Sequence, residues 1–175
     1  MQDLIKKARH IALAVFDVDG VLTDGGLILG EDGAEFKIFH VRDGQGLVLL
    51  RDSGCKVAVI TARNSKIVAE RMNSLGIEHV YQGQSDKGKA FAGLLMKLGL
   101  DARQTAYVGD DLLDLPAMKC AGLAVAVADA HPVVRAQAHC VTAARGGHGA
   151  AREVCEFIME AQGTLQAAIR KYLDA

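Results

Sequence analysis

Asp17, Asp19 and Asp24 lie within the stretch FDVDGVLTDGG, immediately after the apolar run IALAVF. Carboxylates gathered at the end of a buried strand repel one another and lose hydration, so the cluster needs a cation or a proton among them. Other chemistry-bearing residues share that placement. Thr61 follows KVAVI, Lys87 follows HVYQ, and Asp110, Asp111 and Asp114 follow TAYVG. A parallel sheet brings the carboxyl ends of its strands to one edge, where its ligand crevice lies. The expected crevice holds several carboxylates, one hydroxyl and one ammonium, a set suited to an oxygen-coordinated divalent ion and a phosphate. Oxygen ligands favour Mg2+ over zinc, and the spacings of His40, His131 and His148 match no zinc template.

A carboxylate attacks phosphorus directly, giving an aspartyl-phosphate, once a cation neutralises the repulsion between two anions. Asp17 fits that role. Asp19, two residues on, fits an acid that protonates the departing alkoxide and then deprotonates the hydrolytic water. Thr61 and Lys87 would hold the phosphoryl oxygens, and Asp110 would complete the metal shell. Asp24 reads as a turn residue.

Short apolar runs alternate with longer segments of helical period along the chain. Continuous apolar strands imply burial on both faces, so the expected fold is α/β: a doubly wound, Rossmann-like parallel sheet covered by helices on each side. Gly54, Gly76 and Gly99 mark helix ends, and Asp43, Asn64 and Ser85 mark helix starts. The segment 25–44 breaks the alternation and reads as a β-hairpin around GEDG, projecting over the crevice in place of a cap domain. Residues 145–175 read as a tail and an amphipathic helix interrupted near Gly163. Met72, Met96, Met118 and Met159 read as core filling.

The 175 residues fit one domain, half apolar and 23% charged. A formal net charge of -1 excludes the basic footprint of a nucleic-acid binder. Cys55, Cys120, Cys140 and Cys155 show neither zinc nor redox-pair spacing and are expected as buried reduced thiols. The N-terminus lacks the pattern of a signal peptide and no apolar run approaches the ~20 residues of a membrane span, so a reducing cytoplasm is the expected compartment.

The segments DVDGVLTDG, ITAR, SDKGKA and VGDDLLDLP, in this order, resemble the four motifs of the haloacid dehalogenase superfamily over nearly the whole chain. The hairpin, together with VRDGQGL, YQGQSDK, VAVADAHP and RGGHGAAREVCE, resembles its capless phosphatases for a phosphorylated eight-carbon keto sugar acid, a building block of the lipopolysaccharide inner core. The resemblance implies a phosphoric monoester hydrolase with Asp17 as nucleophile and Asp19 as acid/base. It implies Mg2+ on the Asp17 carboxylate, the Asp19 backbone carbonyl and Asp110, with Asp111 and Asp114 supporting the metal's water shell and Lys87. Thr61 and Lys87 then bind phosphate, and Arg63 and Arg71 the sugar acid. Those two arginines lie eight apart, a spacing that predicts one shared helix face. The resemblance further implies a homotetramer built around a barrel of hairpins. The tail, with Arg145 and Arg152 to attract an anion, is then expected to fold over a neighbour's site. Ala62 stands where relatives often carry Gly, and His148 where Arg is frequent. Two other functions compete: a phosphatase for a nine-carbon sialic-type sugar phosphate, and a signalling receiver, which also pairs an acidic Mg2+ pocket with Thr, Lys and a phospho-accepting Asp. A receiver needs no second acid, so Asp19 favours the phosphatase.

Overall fold

A computed structural model describes residues 2–174. In chain order the elements are α1 (Gln2–Arg9), β1 (Leu13–Phe16), β2 (Ile28–Leu29), β3 (Glu35–Phe36), α2 (Val41–Asp52), β4 (Lys56–Ile60), α3 (Lys66–Ser74) and β5 (His79–Tyr81). They continue with α4 (Lys87–Leu98), β6 (Thr105–Gly109), α5 (Leu115–Met118), β7 (Leu123–Ala126), α6 (Pro132–Gln137), β8 (Cys140–Val141), α7 (Ala150–Gln162) and α8 (Leu165–Leu173). Six strands pair in parallel in the order β5-β4-β1-β6-β7-β8, and β2 pairs antiparallel with β3 as a separate hairpin. The expected α/β class and hairpin insertion are found, and among the described residues there is no cap domain. β1 and β6 are buried along their whole length, as strands covered on both faces must be.

From β1 the chain winds outward through β4 and β5, then crosses by α4 to β6 and winds the other way to β8. Right-handed crossovers in opposite directions put the helices of the two windings on opposite faces. Accordingly α7 packs with α2 and α1, while α4 packs with α5, and Phe91 meets Tyr107 edge-on at 5.8 Å. The reversal of direction leaves a crevice at the carboxyl ends of β1 and β6.

Helix starts differ from the sequence-based expectation. α2 begins after His40, α3 after Ser65 and α4 after Asp86, whose side chain accepts from the Lys89 N–H at 2.9 Å. Asp43 lies inside the first turn of α2 and caps another helix instead. Its buried carboxylate accepts from the Gly149 N–H at 3.0 Å and the Arg152 N–H at 2.8 Å, at the start of α7. Gly46 makes the close approach possible, since a Cβ there would lie 2.9 Å from the Arg152 Cα. Asp43→Ala is therefore expected to cost about 2 kcal/mol or more. Thermal melts check it: a drop of roughly 4 °C or more is expected, and an unchanged melting temperature contradicts the cross-helix cap.

Three other expectations are corrected. Met96 is 82% exposed, because the buried stripe of α4 runs through Phe91, Leu94 and Leu95 and leaves Met96 outside it. Cys120 is exposed and Cys140 only half-buried, whereas Cys55 and Cys155 are buried. The tail folds on its own chain: Gly146 sits against the Gly20 carbonyl, and the Gly147 N–H donates to the Val21 carbonyl at 2.9 Å. Arg145 pairs with Asp129 at 3.1 Å and Arg152 with Glu156 at 2.6 Å, so both cations are committed locally. Deleting the chain from Arg145 onward would strip α7 from α2 and destroy the fold rather than uncover a site. The helix break near Gly163 is found, with Gly163 at φ 73 ending α7.

Candidate active site

Phe16 of β1 pairs with Val108 of β6, so Asp17 and Asp110 leave the sheet beside each other. The Asp17 N–H donates to the Val108 carbonyl at 3.0 Å and ties the two strand ends together. Gly20 is required by the same closeness, because a Cβ there would overlap the Asp110 carboxylate. Thr61, buried, directly follows β4 on the other flank of β1. Lys87, reached after β5 by a short connection, is the first residue of α4. Its buried ammonium lies 2.7 Å from Asp17 Oδ1 and 2.7 Å from Asp114 Oδ1.

Asp114 is fully buried and saturated. Lys87 and the Tyr107 hydroxyl, at 3.0 Å, donate to Oδ1, and the N–H groups of Asp110 and Asp111 donate to Oδ2 at 3.0 and 3.2 Å. It holds Lys87 and the Asp110 loop in place. Asp111 accepts from the Leu112 N–H at 2.8 Å and caps its own turn, so it does not join the cluster.

Burial raises the Asp17 carboxyl to about 7, reinforced by Asp114 and opposed by Lys87. Burial likewise raises Asp110 to about 8, with Asp17 and Asp114 adding to the effect. Burial by itself would depress Lys87, but Asp17 and Asp114 outweigh it and hold the ammonium above its ordinary value. Tyr107 is pushed well above the usual phenol range by burial and by Asp114, so it stays a neutral donor.

Asp19 lies outside this buried group, on the side facing the hairpin. Lys37 donates to Asp19 Oδ1, and the Arg63 Nε lies 4.0 Å from Asp19 Oδ2. Glu35 bridges both cations, at 3.3 Å from Lys37 Nζ and 2.9 Å from an Arg63 guanidinium nitrogen. The predicted shared helix face for Arg63 and Arg71 is absent. Arg63 precedes α3, which begins at Lys66, while Arg71 is within α3 with its guanidinium 6.0 Å above the Phe39 ring. Asp24 accepts from the Gly26 N–H at 2.9 Å, the turn role expected of it.

The sequence reading missed Lys37, Glu35 and Tyr107. Alternation along Glu35-Phe36-Lys37-Ile38 carried a usable signal for the first two, since it puts the charged pair and the apolar pair on opposite faces.

Residues 60–154 match the family model described as haloacid dehalogenase-like hydrolase. The chain is also 51% identical over 166 residues to 3-deoxy-D-manno-octulosonate 8-phosphate phosphatase KdsC of Yersinia pestis, covering 95% of this chain and 89% of that relative. This chain belongs to the haloacid dehalogenase-like hydrolases. KdsC of Escherichia coli strain K12 is likewise 51% identical, covering 95% of this chain and 88% of that protein. Among solved structures, a 3-deoxy-D-manno-octulosonate 8-phosphate phosphatase from Moraxella catarrhalis is 45% identical with a TM-score of 0.96, covering 98% of this chain and 99% of that one. That structure contains magnesium, phosphate and a KDO molecule.

For a haloacid dehalogenase-like hydrolase, the donor set here fits Mg2+. Asp17, Asp110 and Asp114 offer carboxylate oxygens within 4.8 Å of one another, and the buried Asp110 Oδ1 has no hydrogen-bond partner among the described residues. The raised carboxyls give a sign to the pH dependence. With no metal bound, folded Asp17 and Asp110 keep protons that an unfolded chain releases near pH ~4. The metal-free fold therefore loses stability as pH rises from about 4 towards 8, and Mg2+, which replaces those protons, stabilises increasingly over that interval. Thermal melts with and without Mg2+ at about pH 6 and about pH 8.5 are expected to show the larger shift at the higher pH. An equal shift at both would contradict it.

Proposed function

We propose that this chain hydrolyses 3-deoxy-D-manno-octulosonate 8-phosphate to the free sugar acid and phosphate, as a Mg2+-dependent phosphomonoesterase working through an aspartyl-phosphate. The observation that carries the chemistry is the buried Lys87 ammonium, 2.7 Å from both Asp17 and Asp114, beside the unpartnered Asp110 oxygen. The substrate is carried by the KdsC relatives.

The Asp17 carboxylate and Asp110, with the Asp19 backbone carbonyl, are the groups that would hold Mg2+, which supplies positive charge against the repulsion between nucleophile and phosphate. Asp17 attacks phosphorus and the sugar alkoxide leaves. Asp19 gives that alkoxide its proton, then takes one from the water that hydrolyses the aspartyl-phosphate. Lys87 and Thr61 hold the phosphoryl oxygens as charge moves across them. Asp114 and Tyr107 keep Lys87 in place, and Arg63 and Arg71 meet the sugar acid. One domain, residues 1–175, carries the whole reaction, with 25–44 as a flap.

Rapid acid quenching during turnover tests this reading. A phosphoryl adduct on the Asp17 peptide that forms and decays within the catalytic cycle is expected; a long-lived adduct would favour a receiver. Specificity constants measured side by side for the eight-carbon and a nine-carbon sialic-type ester are expected to favour the eight-carbon one.

Among the described residues no helix is long and apolar enough to cross a membrane, and the proposed compartment is the reducing cytoplasm. The hairpin exposes Leu27, Ile28, Leu29 at 67%, Phe36, and Ile38 at 65%, more apolar surface than an isolated ribbon leaves in water. We assign that face to the interface of a homotetramer. Light scattering of Phe36→Asp/Ile38→Asp is expected to give monomers where the unaltered protein gives tetramers; a monomeric unaltered protein would contradict the assignment.

A further inference from the structure

We infer that Lys37 makes hydrolysis conditional on a carboxylate in the substrate: its ammonium restrains Asp19 until the sugar acid's own carboxylate takes Asp19's place. The inference rests on the phosphatase reading and adds a specificity residue to it.

Strand alternation sorts the second arm of the hairpin. Phe36 and Ile38 are 56% and 65% exposed, while the Lys37 side chain is 1% exposed and turns inward with Glu35. An ammonium is buried at this cost only where carboxylates receive it. Its partners are Asp19 Oδ1, to which it donates, and Glu35 Oε1 at 3.3 Å. Arg63 closes the group, 2.9 Å from Glu35 Oε1 and 4.0 Å from Asp19 Oδ2. The result is a balanced cluster of two cations and two anions set two residues from the nucleophile.

In this arrangement Lys37 holds Asp19 Oδ1 and the Arg63 guanidinium lies 4.0 Å from Oδ2, so the carboxylate is drawn towards the hairpin and away from a leaving alkoxide. A substrate carboxylate entering the cluster replaces one anion with another. The cations stay paired, the exchange costs little charge desolvation, and Asp19 is released towards the scissile oxygen. A sugar phosphate without a carboxylate offers only hydroxyls, which are weak competitors for a buried ammonium. Asp19 then stays with Lys37. Discrimination therefore arises from an unfavourable rearrangement with the wrong ester as well as from contacts to the right one.

The test compares 3-deoxy-D-manno-octulosonate 8-phosphate, glucose 6-phosphate and p-nitrophenyl phosphate, the last because its leaving group needs no proton donor. In Lys37→Met the ratio of kcat/KM for the sugar-acid ester over glucose 6-phosphate is expected to fall by about tenfold or more. The sugar-acid ester should lose and glucose 6-phosphate should gain. Lys37→Arg, which keeps the cation, should restore most of the preference. An equal loss on both sugar esters, as from mere support of the hairpin, would overturn the inference, and so would an unchanged ratio. An unaltered protein that turns over p-nitrophenyl phosphate without preferring the sugar acid overturns this inference and leaves the phosphatase reading standing. One inert towards all three esters overturns both.

Discussion

Asp17→Asn is expected to lower kcat by about 10^4-fold or more, because the nucleophile is removed and no other carboxylate can take its position. Asp110 is itself a member of the carboxylate group that would hold the metal, and both Asp114 oxygens are engaged. Folding should survive. Burial and Asp114 oppose ionisation of Asp17, so replacing it with a neutral amide relieves repulsion in the metal-free protein. The expected outcome is an inactive enzyme whose metal-free melting temperature at neutral pH equals or exceeds that of the unaltered protein. Turnover within tenfold of normal would remove Asp17 from the chemistry. A collapse of stability would show its role to be structural.

Lys87→Met should damage both function and fold. It withdraws the ammonium 2.7 Å from each of two buried carboxylates, leaving Asp17, Asp110 and Asp114 without a protein counter-charge. Breaking a buried pair from one side costs about 3–5 kcal/mol, or roughly 10 °C in melting temperature for a chain of this size. The orphaned carboxylates can take up protons, so the loss should be larger at about pH 8 than at about pH 5.5. Turnover should fall about 10^3-fold, as a donor to the phosphoryl oxygens is lost. A melting temperature equally depressed at both pH values would show that the cost comes from lost packing of the Lys87 stem.

The positions of Asp17, Thr61 and Asp110 were legible because each follows an unbroken apolar run, and in a parallel sheet such runs end at one edge. The hairpin was legible from the turn Gly30–Gly33 between apolar pairs. Its inner face was not, because charged residues on a short two-stranded ribbon ordinarily face water, and only the fold brings Lys37, paired with Glu35, onto Asp19. The role of Asp43 is not legible locally, since nothing in the neighbouring sequence distinguishes a cap for its own helix from a cap for one more than a hundred residues on. The pairing of Arg63 with Arg71 failed for a related reason: a spacing of two helical turns means a shared face only when the helix spans both, and α3 starts at Lys66. The tail looked free to cross to a neighbour because its glycines permit bending. Those glycines instead let the backbone press against Gly20 and Thr23 of the same chain.

The most direct measurement is phosphate release by the purified protein from 3-deoxy-D-manno-octulosonate 8-phosphate, with Mg2+ and after its removal by chelation. Steady release that requires Mg2+, and exceeds release from other sugar phosphates, is the expected result. No release from this ester, beside Mg2+-dependent turnover of a different sugar phosphate, would contradict the assigned substrate.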